Sequence, residues 1–305
     1  MDTRKHKLIS EFDGLRLDVE EVVPDRIRGI VQISHGMAEH KERYEDFMKF
    51  LAEHDYMTVI HDHRGHGNSV NDLVELGYFY TEDIQGIIED LHQVTRWIKE
   101  QYPGLPIYLF SHSMGTLVAR NYMKKYDSNI QKLILCGPPT KNAGAASALL
   151  MAKASRTMKG GMYRNQYIHN LAFKGYDRDE KTANNWLSTD IEKVEAYNNN
   201  PLCGYVFTNN GFINLFQLMQ EAFSTKGWEK NNLTLPILMI AGEEDPVIQS
   251  REKFEQLEQF LKGIGYSDIK SKLYPGMRHE LLNERNKEQV YQEILAFIDE
   301  TEEAI

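Results

Sequence analysis

The 305-residue chain is 41% hydrophobic and 26% charged, a composition that excludes fibrous and intrinsically disordered proteins. Its formal net charge of −10 argues against a nucleic-acid partner, because contacts to the phosphate backbone require a positive surface. No segment approaches the roughly 20 apolar residues that span a bilayer. With only two cysteines and no signal-peptide core near the start, the sequence predicts a cytoplasmic protein without stable membrane insertion.

The first segment of the chain is predicted to form a β-hairpin. Residues 8–12 and 15–23 have the character of strands, and Asp13-Gly14 between them is a strong turn signal. Residues 27–34 form the next predicted strand. Helices are then predicted at 42–54, 83–100 and 114–126, alternating with strands at 57–61, 107–111 and 132–136. This alternation predicts a mostly parallel central sheet with helices on both faces, because each crossover must return over the sheet.

The alternation is interrupted in the middle of the chain. Residues 140–227 are rich in Asn, Met and Tyr, with helical patterning and no clear strand. The earlier pattern resumes with a strand at 235–241, a helix at 251–262, a strand at 269–274 and a helix at 287–301. The sequence therefore predicts a sheet domain made of residues 1–139 and 228–305, with residues 140–227 as a helical cap insertion.

The segment with the clearest chemical signal runs from residue 107 to residue 115. An apolar strand leads into Ser111-His112-Ser113-Met114-Gly115 and then directly into a helix. A serine between small residues at a strand-to-helix turn is typical of a nucleophile elbow, which exposes the hydroxyl at the N-terminus of the helix. Ser113 is therefore the predicted nucleophile, and an ordinary strand-to-helix turn is the alternative.

A serine nucleophile requires a histidine base and a carboxylate that orients it. Asp245 follows the strand at 235–241, and His279 follows the strand at 269–274. Asp245 is the predicted acid, although Glu243 and Glu244 lie beside it and Asp245 could instead cap a turn. For His279, the predicted base, the alternative is a histidine in a surface loop.

Two backbone N–H groups are needed to bind the oxyanion of a tetrahedral intermediate. Met114 follows the nucleophile and is one predicted donor, and Met37 after the strand at 27–34 is the other. Histidines are concentrated between residues 35 and 66, which suggests a metal site. They lack the spacing of metal ligands on one helix, so we expect no metal and assign them to hydrogen bonds that fix loops.

Several motifs together point to one family. They are His35-Gly36-Met37-Ala38-Glu39-His40 followed by Arg43-Tyr44, Asp62-His63-Arg64-Gly65-His66-Gly67-Asn68-Ser69, Ser111 to Gly115, Asp245-Pro246-Val247, and His279-Glu280. In combination they resemble the monoacylglycerol lipase and lysophospholipase branch of the α/β-hydrolases, which is grouped with the serine aminopeptidase-like family. The order Ser, Asp, His along the chain is also the order found in that fold.

The insertion carries part of the resemblance as well. Ser188-Thr189-Asp190, Ala196-Tyr197 and Asn200-Pro201-Leu202-Cys203-Gly204 are similar to a cap motif of bacterial lysophospholipase-like members. The chain departs from the family pattern at Ser111, where glycine is usual, at Thr116 and at Met37-Ala38. These departures affect the expected specificity more than the expected chemistry.

The resemblance implies an α/β-hydrolase fold and hydrolysis of a small-molecule carboxylic ester through an acyl-enzyme, without a cofactor. It also implies monoacylglycerols or lysophospholipids as substrates. Apolar residues of the insertion are candidates for an acyl pocket, although most must pack the insertion onto the sheet domain. The candidates are Leu149, Phe207, Phe212 and Phe216, together with Leu150, Met151, Leu215 and Met219.

Two other functions fit the same sequence. An aminopeptidase or amidase could use the same triad, and an aminopeptidase would need an acidic group to bind the substrate amine. Glu192, Glu195 and Glu221 are the candidates for that group. A non-catalytic ligand-binding protein is the second alternative, and an intact triad argues against it. The sequence does not predict the oligomeric state.

Overall fold

The structure, a computed structural model, describes residues 1–177 and 182–300. Within these residues, one eight-stranded sheet has the order β1-β2-β4-β3-β5-β6-β7-β8. The strands are β1 (Asp2–Ile9), β2 (Arg16–Val23), β3 (Gly29–Ser34), β4 (Tyr56–His61), β5 (Ile107–His112), β6 (Lys132–Cys136), β7 (Ile237–Gly242) and β8 (Ile269–Tyr274). β2 pairs antiparallel with both β1 and β4, whereas all pairs from β4 through β8 are parallel. The predicted mostly parallel sheet is confirmed.

Helices cover both faces of the sheet. In the described part of the chain they are α1 (Glu45–Glu53), α2 (Gln85–Gln101), α3 (Met114–Tyr126), α4 (Ala145–Lys159), α5 (Gln166–Ala172), α6 (Ile191–Asn199), α7 (Asn209–Ala222), α8 (Arg251–Ile264) and α9 (Lys287–Asp299). The apolar sides of α1 and α9 bury one face, and those of α2, α3 and α8 bury the other. Each face of the sheet thus has its own hydrophobic core. Leu109 packs in one core and its neighbour Phe110 in the other, because successive side chains along a strand point to opposite faces.

The first strand of the N-terminal hairpin lies earlier in the chain than predicted. β1 runs through Asp2–Ile9, and residues 10–12, predicted as strand, lie in the turn. Ser10 N donates to the Leu15 carbonyl and Gly14 N donates to the Ser10 carbonyl, each at 2.8 Å. Residues 2–7 are mostly charged and form an edge strand largely exposed to solvent, so they lack the apolar alternation on which the prediction relied.

The predicted insertion holds four of the described helices, α4 to α7, between β6 and β7. α7 packs on α3 of the sheet domain, and Asn121 of α3 donates to the Leu218 carbonyl of α7 at 3.1 Å. The domain boundaries at 139 and 228 stay predictions. α9 ends at Asp299, and Thr301, predicted as its last residue, lies outside the described residues. Among the helices that the structure describes, none is both long enough and apolar enough to cross a membrane.

Candidate active site

Ser113 lies at a sharp turn between β5 and α3. Its backbone has φ 51° and ψ −119°, and α3 begins at the next residue. This left-handed φ is unfavourable for a residue with a Cβ, so the surrounding structure must impose it. Gly115 shows why small residues flank the turn, since a Cβ there would lie 2.1 Å from the Ser34 carbonyl oxygen. The turn holds the Ser113 hydroxyl at the N-terminus of α3.

Ser111, which stands where the family usually has glycine, forms a specific contact. Its hydroxyl donates to the carbonyl of Ile134 on the neighbouring strand β6 at 2.8 Å. A buried hydroxyl with a partner of this kind is not a destabilising polar group. The departure at this position therefore leaves the turn intact.

The loops after β7 and β8 bring Asp245 and His279 together. His279 Nδ1 lies 2.8 Å from Asp245 Oδ2, and both side chains are buried. The other carboxylate oxygen, Oδ1, accepts from the Val247 N–H at 2.8 Å, which fixes the carboxylate plane. Glu243 instead pairs with Arg251 at the surface. The carboxylate beside the imidazole is thus that of Asp245.

The imidazole of His279 is held by close contacts on two sides. A Cβ at position 137 would lie 3.1 Å from its Nδ1 and Cε1 atoms, so Gly137, with φ 56°, leaves the space that the ring occupies. The centroid of the Trp186 ring lies 5.1 Å from the centroid of the His279 imidazole. Trp186 comes from the insertion, and no motif or spacing in the sequence indicated this contact.

Ser113 and His279 line one cavity of about 610 Å³, which also reaches Met37 and Met114. Among the described residues, none forms a hydrogen bond to the Ser113 hydroxyl. Hydrogen bonds between a nucleophile and its base are often long or poorly aligned until substrate binds. Neither the Met37 N–H nor the Met114 N–H has an acceptor within the described part of the chain. Two unpaired donors therefore lie at the cavity that contains the serine.

The walls of this cavity are mainly apolar and come largely from the insertion. Phe216, one of the predicted pocket residues, lines it, as do Met151, Leu215 and Met219. Leu149, Phe207 and Phe212 are buried in the core and do not line this cavity, so their part in substrate binding stays a prediction. Leu150 is 70% exposed and points away from the cavity. The apolar residues of the insertion thus serve two surfaces, one packed on the sheet domain and one facing the cavity.

The comparison with protein families agrees with this geometry. The family model described as serine aminopeptidase matches residues 25–286. The chain belongs to this family. It is therefore a hydrolase, and both the α/β-hydrolase fold and the branch that the sequence motifs suggested are confirmed.

Individual relatives resemble almost the whole chain. A monoacylglycerol lipase from Mycolicibacterium smegmatis is 27% identical over 304 residues, which cover 97% of each chain. The human monoglyceride lipase is 25% identical over 259 residues, covering 84% of this chain and 77% of that protein. The crystal structure of a thermostable carboxyl esterase from Bacillus coagulans, in complex with glycerol, has a TM-score of 0.89 and is 30% identical, with 98% of each chain covered.

A network of buried charged side chains lies next to the candidate site. Arg43 donates to Glu39 at 2.6 Å and forms a double hydrogen bond to Glu280 at 2.7 and 2.6 Å. His112, beside Ser113, contacts Glu39 at 3.2 Å through Nδ1. Glu280 adjoins His279, and Glu39 accepts from the Gly36 N–H at 2.6 Å. The network therefore connects the loops that carry the proposed nucleophile, base and oxyanion donor.

The charges in this network stabilise one another. Burial alone would raise the pKa of the Glu39 and Glu280 carboxyl groups, but the charge of Arg43, together with hydrogen bonds and the contribution of His112, holds both pKa values below their ordinary range. Burial would likewise lower the pKa of His112, and the contact with Glu39 raises it above the ordinary value. Arg43 and Glu280 lie in motifs that carry the family resemblance, but no spacing or pattern in the sequence predicted a role for either residue.

Replacing Arg43 with methionine should destabilise the fold by about 3–5 kcal/mol, because two buried carboxylates lose their counter-ion. Without Arg43, burial should raise the pKa of both carboxyl groups above the unfolded value of about 4.3, which costs stability at neutral pH and is relieved as pH falls toward that value and the groups take up protons. The loss caused by Arg43→Met should therefore be largest at neutral pH and shrink in acid. Urea unfolding at pH 7 and pH 4.5 measures this loss.

The matched control for this variant is Arg251→Met, because Arg251 pairs with Glu243 at an exposed site. Exposed ion pairs contribute little to stability, so this variant should unfold close to wild type at both pH values. If the two variants lost equal stability, the buried network would not have the role described here.

The acidic residues predicted for an aminopeptidase do not reach the cavity. Glu192 and Glu195 are exposed on α6, and Glu221 forms an ion pair with Lys124. The acidic residues that line the cavity in the described part of the chain are Glu39, Asp177 and Glu280. Glu39 and Glu280 belong to the Arg43 network. Glu192, Glu195 and Glu221 therefore do not form the amine-binding site that the sequence suggested for an aminopeptidase.

Of the histidines between residues 35 and 66, all but His54 are buried, and most of them are hydrogen-bonded. His35 Nε2 accepts from the His63 N–H at 2.9 Å, His63 Nε2 contacts the Ser34 hydroxyl at 2.9 Å, and His66 Nδ1 donates to the Arg64 carbonyl at 3.0 Å. Burial lowers the pKa of all three imidazoles, so they are neutral near pH 7. No group of side chains in the described residues is arranged to bind a metal ion.

Proposed function

We propose that the chain hydrolyses single-chain carboxylic esters, monoacylglycerols in the first place, through an acyl-enzyme formed on Ser113. The observation that carries the proposal is the position of Ser113, at its strained turn, in one cavity with His279, whose Nδ1 is hydrogen-bonded to Asp245. The mainly apolar wall formed by the insertion suits an acyl chain, and the volume of about 610 Å³ is within the range of small-molecule sites.

In the proposed first half-reaction, the Ser113 oxygen attacks the ester carbonyl while His279 Nε2 accepts the hydroxyl proton. The carbonyl oxygen becomes an oxyanion that receives hydrogen bonds from the N–H groups of Met37 and Met114. Collapse of this intermediate breaks the bond to the alcohol oxygen, and His279 returns the proton to the departing alcohol. Asp245 holds the imidazole in the tautomer that accepts a proton at Nε2.

In the second half-reaction, water replaces the alcohol. His279 removes a proton from the water as its oxygen attacks the acyl carbon, and the same two N–H groups bind the second oxyanion. The Ser113 oxygen then leaves and recovers the proton from His279, which releases the carboxylic acid. The monoacylglycerol and monoglyceride lipases among the relatives support glycerol esters as the substrate class.

A substrate panel tests the proposal. Purified protein would be assayed with monoacylglycerols of increasing chain length, a lysophospholipid and aminoacyl 4-nitroanilides. We expect the largest kcat/KM for monoacylglycerols and little or no anilide cleavage. An anilide kcat/KM above that of every ester would overturn the proposal in favour of an aminopeptidase.

Filling the cavity should change the preference for acyl-chain length. Met219 is half-buried and lines the cavity, so Met219→Trp places a larger side chain in the proposed acyl site. Overfilling costs about 1–3 kcal/mol, which corresponds to a roughly 5- to 160-fold lower kcat/KM for long-chain esters. Hydrolysis of a butyrate ester should change much less.

The control for Met219→Trp is Met158→Trp, because Met158 is 81% exposed and does not line the cavity. This variant should leave the ratio of long-chain to short-chain activity at the wild-type value. If Met219→Trp also left that ratio unchanged, the apolar wall would not bind the acyl chain.

A further inference from the structure

The insertion contacts both loops that complete the proposed active site. On the side of His279, the Glu280 N–H donates to the Leu187 carbonyl at 2.7 Å, and Arg278 donates to the carbonyls of Asn185 and Ser188 at 2.5 and 3.1 Å. These contacts are made by the segment around Ser188-Thr189-Asp190, one part of the insertion motif in the sequence. The mechanism above assigns no role to this motif.

The second part of the motif contacts the loop after β3. The Ala38 carbonyl accepts two hydrogen bonds from the insertion, from the Tyr197 hydroxyl at 3.1 Å and from the Gly204 N–H at 2.9 Å. Ala38 has φ 51°, a left-handed conformation that costs about 1–3 kcal/mol for a residue other than glycine. Ala38 directly follows Met37, whose N–H is the proposed oxyanion donor.

Met37 is thus anchored on both sides. The residue before it, Gly36, is held through its own N–H, which donates to the Glu39 carboxylate at 2.6 Å. The residue after it is held through the Ala38 carbonyl by the insertion. Tyr197 contributes to both anchors, because its ring lies 4.8 Å below the guanidinium of Arg43, which in turn pairs with Glu39.

We propose that Tyr197 is a positioning residue for the oxyanion hole, whose hydroxyl holds the Ala38 carbonyl so that the Met37 N–H points at the cavity. The inference rests on the proposed function, since it assigns a role to the same site. Tyr197 is buried, and burial raises the pKa of its hydroxyl, so the group remains a donor across the neutral range. The insertion is then a structural part of the catalytic apparatus as well as a wall of the cavity.

The kinetic consequence follows from where oxyanion donors act. They bind the transition state more tightly than the bound substrate, so a displaced donor lowers kcat and leaves KM nearly unchanged. Removing a donor outright costs roughly 10²- to 10³-fold in kcat. A donor that is displaced but retained should cost less, and we expect about a tenfold loss when the Tyr197 hydroxyl is removed.

Tyr197→Phe is the variant that tests the inference, because it keeps the ring against Arg43 and deletes only the hydroxyl. Tyr167→Phe is its matched control, since Tyr167 belongs to α5 of the same insertion, is 70% exposed and does not line the cavity. For both variants and wild type we would measure kcat and KM on a monoacylglycerol, thermal unfolding, and inhibition by an alkyl trifluoromethyl ketone. Attack of the serine on this ketone generates an oxyanion that mimics the transition state.

The expected result is a kcat about tenfold lower for Tyr197→Phe, a ketone affinity weakened by a similar factor, and a KM and Tm near those of Tyr167→Phe. A lower Tm with unchanged ketone affinity would overturn the inference, because it would mean that the hydroxyl only stabilises the fold. Kinetics identical to the control would also overturn it. If wild-type protein itself turned over no ester, the proposed function would fail and the inference with it, so the two failures are distinguishable.

Discussion

The Ser113→Ala variant is expected to lose ester hydrolysis by roughly a millionfold in kcat while keeping the wild-type fold. Without the hydroxyl no acyl-enzyme can form, and the remaining groups can only bind the substrate and polarise its carbonyl. The substitution is small and made at a half-buried side chain, so it should change stability little. Steady-state kinetics with circular dichroism and thermal unfolding would measure both effects.

Ser147→Ala is the appropriate control for this variant. Ser147 lines the same cavity, and its hydroxyl donates only to the Gly144 carbonyl among the residues that the structure describes. This variant should keep activity close to wild type. Residual turnover by Ser113→Ala at the level of Ser147→Ala would mean that another group is the nucleophile.

The Asp245→Asn variant should lower kcat by about 10⁴-fold. The amide keeps an oxygen for the Val247 N–H, so the loop conformation is preserved, but its NH₂ group now donates to Nδ1 of His279. A donated hydrogen bond at Nδ1 favours the tautomer whose Nε2 carries the proton, and that tautomer cannot accept the proton of Ser113. The loss should therefore appear in kcat with little change in KM.

The control for this substitution is Glu243→Gln, since Glu243 lies two residues away and pairs with Arg251 at the surface. Its activity should stay near wild type. The sequence alone left Glu243 and Glu244 open as the acid, and a loss of activity in Glu243→Gln as large as in Asp245→Asn would revive that alternative.

The features that could be predicted from the sequence are those fixed by local signals. The position of Ser113 at a sharp turn could be predicted because a strand, a small-residue turn and a helix follow one another directly in the sequence. That Asp245 and His279 lie close together could be predicted because each follows a strand of a parallel sheet. The carboxyl ends of parallel strands meet at one edge, so the loops after them must lie close together.

The features that could not be predicted depend on contacts between distant segments. Phe207 and Phe216 are both large, apolar, part of the insertion and buried in the same core, yet only Phe216 also lines the cavity. Composition cannot separate them, because the two environments favour the same residue types. The hydrogen bond from Tyr197 to Ala38 joins residues 159 positions apart and has no signature in spacing.

Labelling with a fluorophosphonate probe tests the central claim most directly. This probe reacts covalently with a serine only when a neighbouring base and oxyanion donors activate it. Purified protein would be incubated with the probe, digested, and the modified peptide located by mass spectrometry. The account predicts a single modification at Ser113 that is absent in Ser113→Ala and greatly slowed in Asp245→Asn. Folded protein that remained unlabelled, or that was labelled at another serine, would contradict it.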